Sequence, residues 1–88
     1  MINEQINLAL TELLKLNFGF TDLSSFCSFK NHSNEKVYRY EYSINDEFVN
    51  HKLRNLISST ISNQAIKHDC VVFHQDNSIR VERKIYNR

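Results

Sequence analysis

The fold is decided by the stretch YRYEYSI at residues 38–44, where large apolar side chains alternate with polar ones. Successive side chains of a β-strand point to opposite faces, so this alternation places three tyrosines and an isoleucine on one face. The other face receives Arg39, Glu41 and a serine. Such an aromatic row can close a core or stack on nucleobases. We expect it to form the core, because the face that carries Arg39 and Glu41 cannot.

Length and composition indicate one compact domain that spans residues 1–88. Charged residues make up 24% and hydrophobic residues 41% of the chain, as in folded domains. A single glycine excludes a phosphate-binding glycine loop. With no proline and one glycine, the loops are expected to be short and built from Asn, Asp and Ser. The net charge of +1 provides no bulk attraction to a polyanion.

Two further features bear on the cellular compartment. No apolar run approaches the roughly 18 residues of a membrane span, and the first residues lack a basic region followed by an apolar core. Cys27 and Cys70 are far apart and form no CxxC pair, which favours two reduced thiols over a disulfide. We therefore expect a cytoplasmic protein with no membrane partner.

The residues that precede the tyrosine row predict a helix and a β-hairpin. Apolar residues at helical spacing predict a helix over residues 4–16, with Asn3 as its cap and Asn17 or Gly19 as its end. Polar turn-forming residues then divide the stretch 25–44 into two strands.

A two-residue turn at Ser33 and Asn34 and a four-residue loop from His32 to Glu35 connect these two strands in the same register. It places Phe29 opposite Tyr38, so that both lie on the tyrosine face. Cys27 belongs to the same face in this register.

A second helix and a second hairpin follow. The helix is predicted to begin at Asn45, or with a capping pair formed by Ser43 and Asp46. Its apolar stripe consists of Val49, Leu53, Leu56, Ile57, Thr60 and Ile61. Asp76 and Asn77 suit a two-residue turn, which predicts these opposite pairs: Val72 with Val81, His74 with Ile79, Phe73 with Arg80, Val71 with Glu82, Cys70 with Arg83, and Asp69 with Lys84.

Together these elements predict an α+β fold with the order αββαββ. The simplest layered arrangement is a four-stranded antiparallel sheet with both helices packed on one face. We expect the final strand, residues 78–86, to lie at the edge of that sheet.

His68, Cys70 and His74 lie on one side of a predicted strand, and Cys27 could supply a fourth zinc ligand. Zinc sites usually take pairs of ligands from tight turns, and no such pair occurs here. Histidines scattered on strands are usually surface or edge residues, and we expect neither a metal nor another cofactor.

Asp69, followed on the next strand by Glu82-x-Lys84, resembles the motif of PD-(D/E)xK nucleases. The resemblance implies two carboxylates that hold a magnesium ion and a lysine that positions water. It covers sixteen residues and lacks both the proline before the aspartate and the helix and strand that follow the lysine. The nuclease remains a remote alternative, and we expect no catalytic residues and no magnesium-dependent cleavage.

The function we expect is binding to another macromolecule, most simply to a protein. Phe73 and Tyr86 are predicted to project beside Arg80 from the face opposite the helices. Exposed aromatic side chains beside an arginine have the composition of an interface hot spot. The partner is either a different protein or a second copy in a homodimer. A compact inhibitor or regulator encoded by a phage or mobile element would have this size and composition.

Nucleic-acid binding is the alternative function, because basic residues are concentrated near the end of the chain. The candidate phosphate-binding residues are Lys52, Arg54, Arg80, Arg83, Lys84 and Arg88.

Overall fold

A computed structural model describes residues 2–19, 24, 26–45, 47 and 49–85 of the chain. Its elements follow the order αββαββ, as predicted. They are α1 (Ile2–Phe18), β1 (Cys27–Asn31), β2 (Val37–Ile44), α2 (His51–Lys67), β3 (Val71–Gln75) and β4 (Ser78–Lys84). The strands form one four-stranded antiparallel sheet on which the helices pack, so the predicted fold class is confirmed.

The strand order is β1-β2-β4-β3, so β2 and β4 form the centre of the sheet. The prediction that the final strand lies at an edge is therefore wrong. Tyr40 lies opposite Val81 and Tyr42 opposite Ile79, and all four side chains are buried. Central placement buries the two strands whose core-facing residues are most consistently apolar, whereas an edge placement would expose one of them.

The core lies between the tyrosine face of the sheet and the two helices. Phe29 is only partly buried, and its ring packs 5.2 Å from that of Tyr42 and 5.6 Å from that of Tyr40. Each helix contributes residues four positions apart, which form one stripe along the helix. The buried core residues are Ile6, Leu10, Leu14, Cys27, Tyr40, Tyr42, Ile44, Val49, Leu53, Ile57, Ile61, Ala65, Ile79 and Val81. The expectation that the tyrosines form the core is confirmed for Tyr40 and Tyr42.

The first hairpin has a different register from the predicted one. Phe29 lies opposite Tyr42 and Cys27 opposite Ile44, because the turn is centred two residues later, at Glu35 and Lys36. The side-chain oxygen of Asn34, Oδ1, accepts hydrogen bonds from the backbone N–H of Lys36 at 2.8 Å and from that of Val37 at 3.0 Å. This change moves each partner by an even number of residues, so the same side chains still face the core.

The second helix begins later than predicted, at His51, although β2 ends at Ile44 as predicted. Asn45 donates its backbone N–H to the carbonyl of Phe26 at 2.9 Å, which keeps this part of the chain extended beside the sheet. Asn50 is the actual N-cap, and its side-chain oxygen accepts from the N–H of Leu53 at 2.8 Å.

The limits of α1 are partly as predicted. Asn3 lies within α1 rather than capping it. Gly19 ends the helix with a φ of +73° and donates its N–H to the carbonyl of Lys15, as expected for a glycine at this position. Neither described helix is long and apolar enough to cross a bilayer.

The second hairpin has the predicted register. Phe73 lies opposite Arg80, Val72 opposite Val81, and the turn is at Asp76 and Asn77. The ladder begins at Val71, so the two outermost predicted pairs are not formed.

Truncation of one side chain from each face of β2 tests this assignment of the core. Tyr40→Ala should cost about 3–5 kcal/mol of unfolding free energy, because it removes a fully buried ring. Arg39→Ala should cost about 1 kcal/mol or less, because its ion pair is partly exposed to water. Urea denaturation measures both values, and equal losses would mean that the wrong face has been assigned to the core.

Candidate functional site

The face of the sheet opposite the helices, called here the outer face, carries the candidate site. On β3 and β4 it contains two exposed apolar side chains, Val71 and Phe73, beside Arg80 and Glu82. Val71 is 58% and Phe73 39% exposed, which is unusual for two neighbouring large apolar residues on one strand. Both residues alternate with Val72, which packs against the core, so they project from the opposite face of the strand.

An ion network crosses the two central strands on this face. Arg39 of β2 donates from Nε to Oε1 of Glu82 of β4 at 2.7 Å. Nε of Arg80 lies 2.9 Å from the same oxygen. The Glu82 carboxylate is thus held between two guanidinium groups, and its side chain is only 19% exposed. This network orders Arg39 and Arg80 on the outer face before any partner binds.

Arg80 also covers the ring of Phe73. Its guanidinium carbon lies 4.6 Å from the ring centroid, within the range of a cation–π interaction. The structure therefore brings together two of the three residues predicted to bind a partner, and both are partly exposed. Tyr86, the third, lies outside the described residues.

A groove of about 990 Å³ opens at the end of the outer face where β2 begins and β4 ends. Its apolar lining consists of Val37, Val71, Phe73 and Ile85. Its charged lining consists of Lys36, Arg39, Asp69, Glu82, Arg83 and Lys84. Four cations and two carboxylates line the groove, and one carboxylate, that of Glu82, is already paired with Arg39. The groove therefore combines an apolar surface with a surplus of positive charge.

The residues of the nuclease-like motif reach this groove but not in the predicted arrangement. Asp69 does not belong to β3. It follows the end of α2, with a φ of +58°, and its N–H donates to the carbonyl of Ile66. Cys70 donates to the carbonyl of Ala65, and this pair of bonds is the Schellman arrangement that ends many helices. The expected pairing of Asp69 with Lys84 is therefore wrong, because a helix end takes precedence over extension of the strand.

Glu82 is unsuited to the metal-binding role that the motif implies. Oε1 of its carboxylate accepts from Arg39 and also contacts Arg80. Within the described residues, no group of three or more His, Cys, Asp or Glu side chains is arranged to hold a metal ion. The absence of enzymatic activity stays a prediction.

Cys27 is buried and Cys70 is partly buried. Burial raises the pKa of the Cys27 thiol from 9.0 to about 11. Burial also raises the pKa of Cys70, although nearby Arg83 lowers it in part. Burial thus disfavours the thiolate form of both side chains. His74 has Ser62 as a neighbour, with Nε2 3.4 Å from Oγ.

The basic residues of the nucleic-acid hypothesis are divided between two layers. Arg80 and Lys84 belong to the outer face, and Arg83 also lines its groove. Lys52 and Arg54 belong to α2, which packs on the opposite face of the sheet. Arg88 lies outside the described residues.

Lys36, Val37, Arg39 and Val71 also line the groove, and the sequence did not single them out as site residues. The alternation in β2 placed Arg39 on the polar face, but its partner Glu82 is 43 residues away in the chain. Only the pairing of β2 with β4 brings these residues together.

No protein-family model, curated protein or solved structure matches this chain.

Substitution of Asp69 tests whether its positive φ, which the turn at the end of α2 requires, strains the backbone. Asp69→Gly should raise the unfolding free energy by about 1 kcal/mol, because glycine adopts positive φ without the strain of a side chain. Asp69→Ala, the matched control, should give no such gain. Urea denaturation at neutral pH measures both. A clear loss in Asp69→Gly would show that the carboxylate makes a stabilising interaction.

Proposed function

We propose that the protein is a small, non-catalytic binding protein that acts in the cytoplasm as a regulator or inhibitor of another protein. We propose further that it is encoded by a phage or mobile element. The observation that carries the proposal is the pair formed by Phe73 and Arg80, a preordered aromatic and guanidinium on a sheet face that the helices leave open.

Three properties of the outer face support protein binding. Phe73 and Val71 offer exposed apolar area that would be buried against a partner. Arg80 is held in place by Glu82 and Phe73, so little side-chain entropy is lost when it binds. Aromatic and arginine side chains are the types most enriched among residues that dominate binding energy.

Nucleic-acid binding remains the second candidate function. The four cations that line the groove favour it, and the exposed ring of Phe73 could stack on a base. Binding through phosphates would weaken steeply with salt, in a linear relation between log K and log salt concentration. Nucleic-acid affinity with this salt dependence would favour the second candidate.

Capture of the partner by tagged protein, followed by mass spectrometry, tests the proposal. Phe73→Ala should weaken the affinity for the partner about 30-fold, which corresponds to roughly 2 kcal/mol of binding free energy at a hot spot. Leu8→Ala is the matched control, because Leu8 is 57% exposed but belongs to α1 on the other side of the molecule. Circular dichroism verifies that both variants are folded.

If folded Phe73→Ala captures as much partner as the wild-type protein does, the outer face is not the binding surface. Loss of capture after treatment with nucleases would show that nucleic acid is the partner. Light scattering at tens of micromolar determines whether a second copy is bound.

A further inference from the structure

The two edges of the sheet differ in how well they are protected from pairing. Proteins commonly guard edge strands with charged side chains, prolines or bulges. Edge strand β1, Cys-Ser-Phe-Lys-Asn, carries Lys30. Edge strand β3, Val-Val-Phe-His-Gln, has no Lys, Arg, Asp, Glu or Pro, and its register with β4 is unbroken from Val71 to Gln75. Four of its five residues are exposed.

The backbone groups that β3 presents to its open side follow from the hairpin turn. Gln75 and Ser78 close the two-residue turn, so this pair exchanges hydrogen bonds. Hydrogen-bonded pairs alternate along an antiparallel ladder, which makes Phe73 with Arg80 the next such pair. The N–H and C=O groups of Val72 and His74 therefore point away from β4, toward the open edge.

The charges beside this edge favour an acidic partner. The groove next to β3 is lined by two more cations than carboxylates. Arg80 leans over Phe73 and so carries its positive charge toward β3. A strand added to β3 would run about 10 Å from β4, a distance that a glutamate and an arginine side chain span together.

We propose that β3 accepts an extended segment of a partner protein as a fifth strand, and that this segment carries alternating apolar and acidic side chains. Its backbone pairs with Val72 and His74, and its acidic side chains meet Arg80 and the cations of the groove. This inference rests on the proposed protein-binding function and specifies how the partner is recognised.

Other occupants fit these features less well. A second copy that paired through β3 would offer a strand with no acidic side chain, so the positive charge beside the edge would stay unmatched. A nucleic acid would match the positive charge but offers no row of backbone donors and acceptors to pair with a strand.

A blocked peptide of alternating valine and glutamate is the probe, and ¹⁵N NMR titration of the full chain is the measurement. The peptide should shift the amide signals of Val72 and His74 most strongly. It should bind at least tenfold more tightly than the matching valine–lysine peptide. A fully N-methylated valine–glutamate peptide keeps the charges but lacks the donors, and it should also bind at least tenfold more weakly.

A pair of substitutions tests the edge from the side of the protein. His74→Pro removes one N–H that points to the open edge and leaves the hydrogen bonds between β3 and β4 intact. Edge strands tolerate proline at such a position. His74→Ala removes the same side chain but keeps the N–H. Peptide affinity should fall at least tenfold in His74→Pro and change less than twofold in His74→Ala.

Four results would overturn the inference. Equal binding of the methylated and unmethylated peptides to wild-type protein would show that charge alone is recognised, whether or not His74→Pro folds. Displacement of the peptide by single-stranded oligothymidine would assign the edge to nucleic acid. A dimer that His74→Pro converts to a monomer would assign it to a second copy. Partner capture that depends on Phe73 but not on the edge would preserve the proposed function and refute strand addition.

Discussion

The pairing of β2 with β4 is the constraint on which the rest of the structure depends. It places Tyr40 opposite Val81 and Tyr42 opposite Ile79, and these four side chains form the floor of the core. The same register places Arg39 opposite Glu82 on the other face. One set of strand contacts therefore determines both where the helices pack and where the charged network of the outer face forms.

Packing both helices on one face leaves the other available for binding. A domain of 88 residues has little apolar area to spare for a second layer. The outer face is instead held by hydrogen-bonded charges and by the stacking of Arg80 on Phe73. Such contacts contribute little net stability near water, but they hold the side chains of the groove in fixed positions. The outer face therefore presents charged and aromatic side chains instead of a second apolar layer.

Local pattern was enough to predict the parts of the fold that depend on neighbouring residues. The alternation of residues 38–44 predicted the buried face, and Asp76 with Asn77 predicted the second hairpin and hence the meeting of Phe73 with Arg80. The first turn was misplaced, because its run of polar residues permits several turns and side-chain bonds from Asn34 select one. The central strand order could not be predicted, since many pairings satisfy the same alternation.

Hydroxyl-radical footprinting of the full chain tests the central claim most directly, because it reports the exposure of each aromatic ring. We expect Phe73, which is 39% exposed, to be oxidised in the folded protein. Tyr40 and Tyr42, which are 2% and 0% exposed, should be protected. Tyrosine reacts readily with this radical when exposed, so its protection would be informative. Oxidation of the two tyrosines together with protection of Phe73 would show that the core and the binding face have been exchanged.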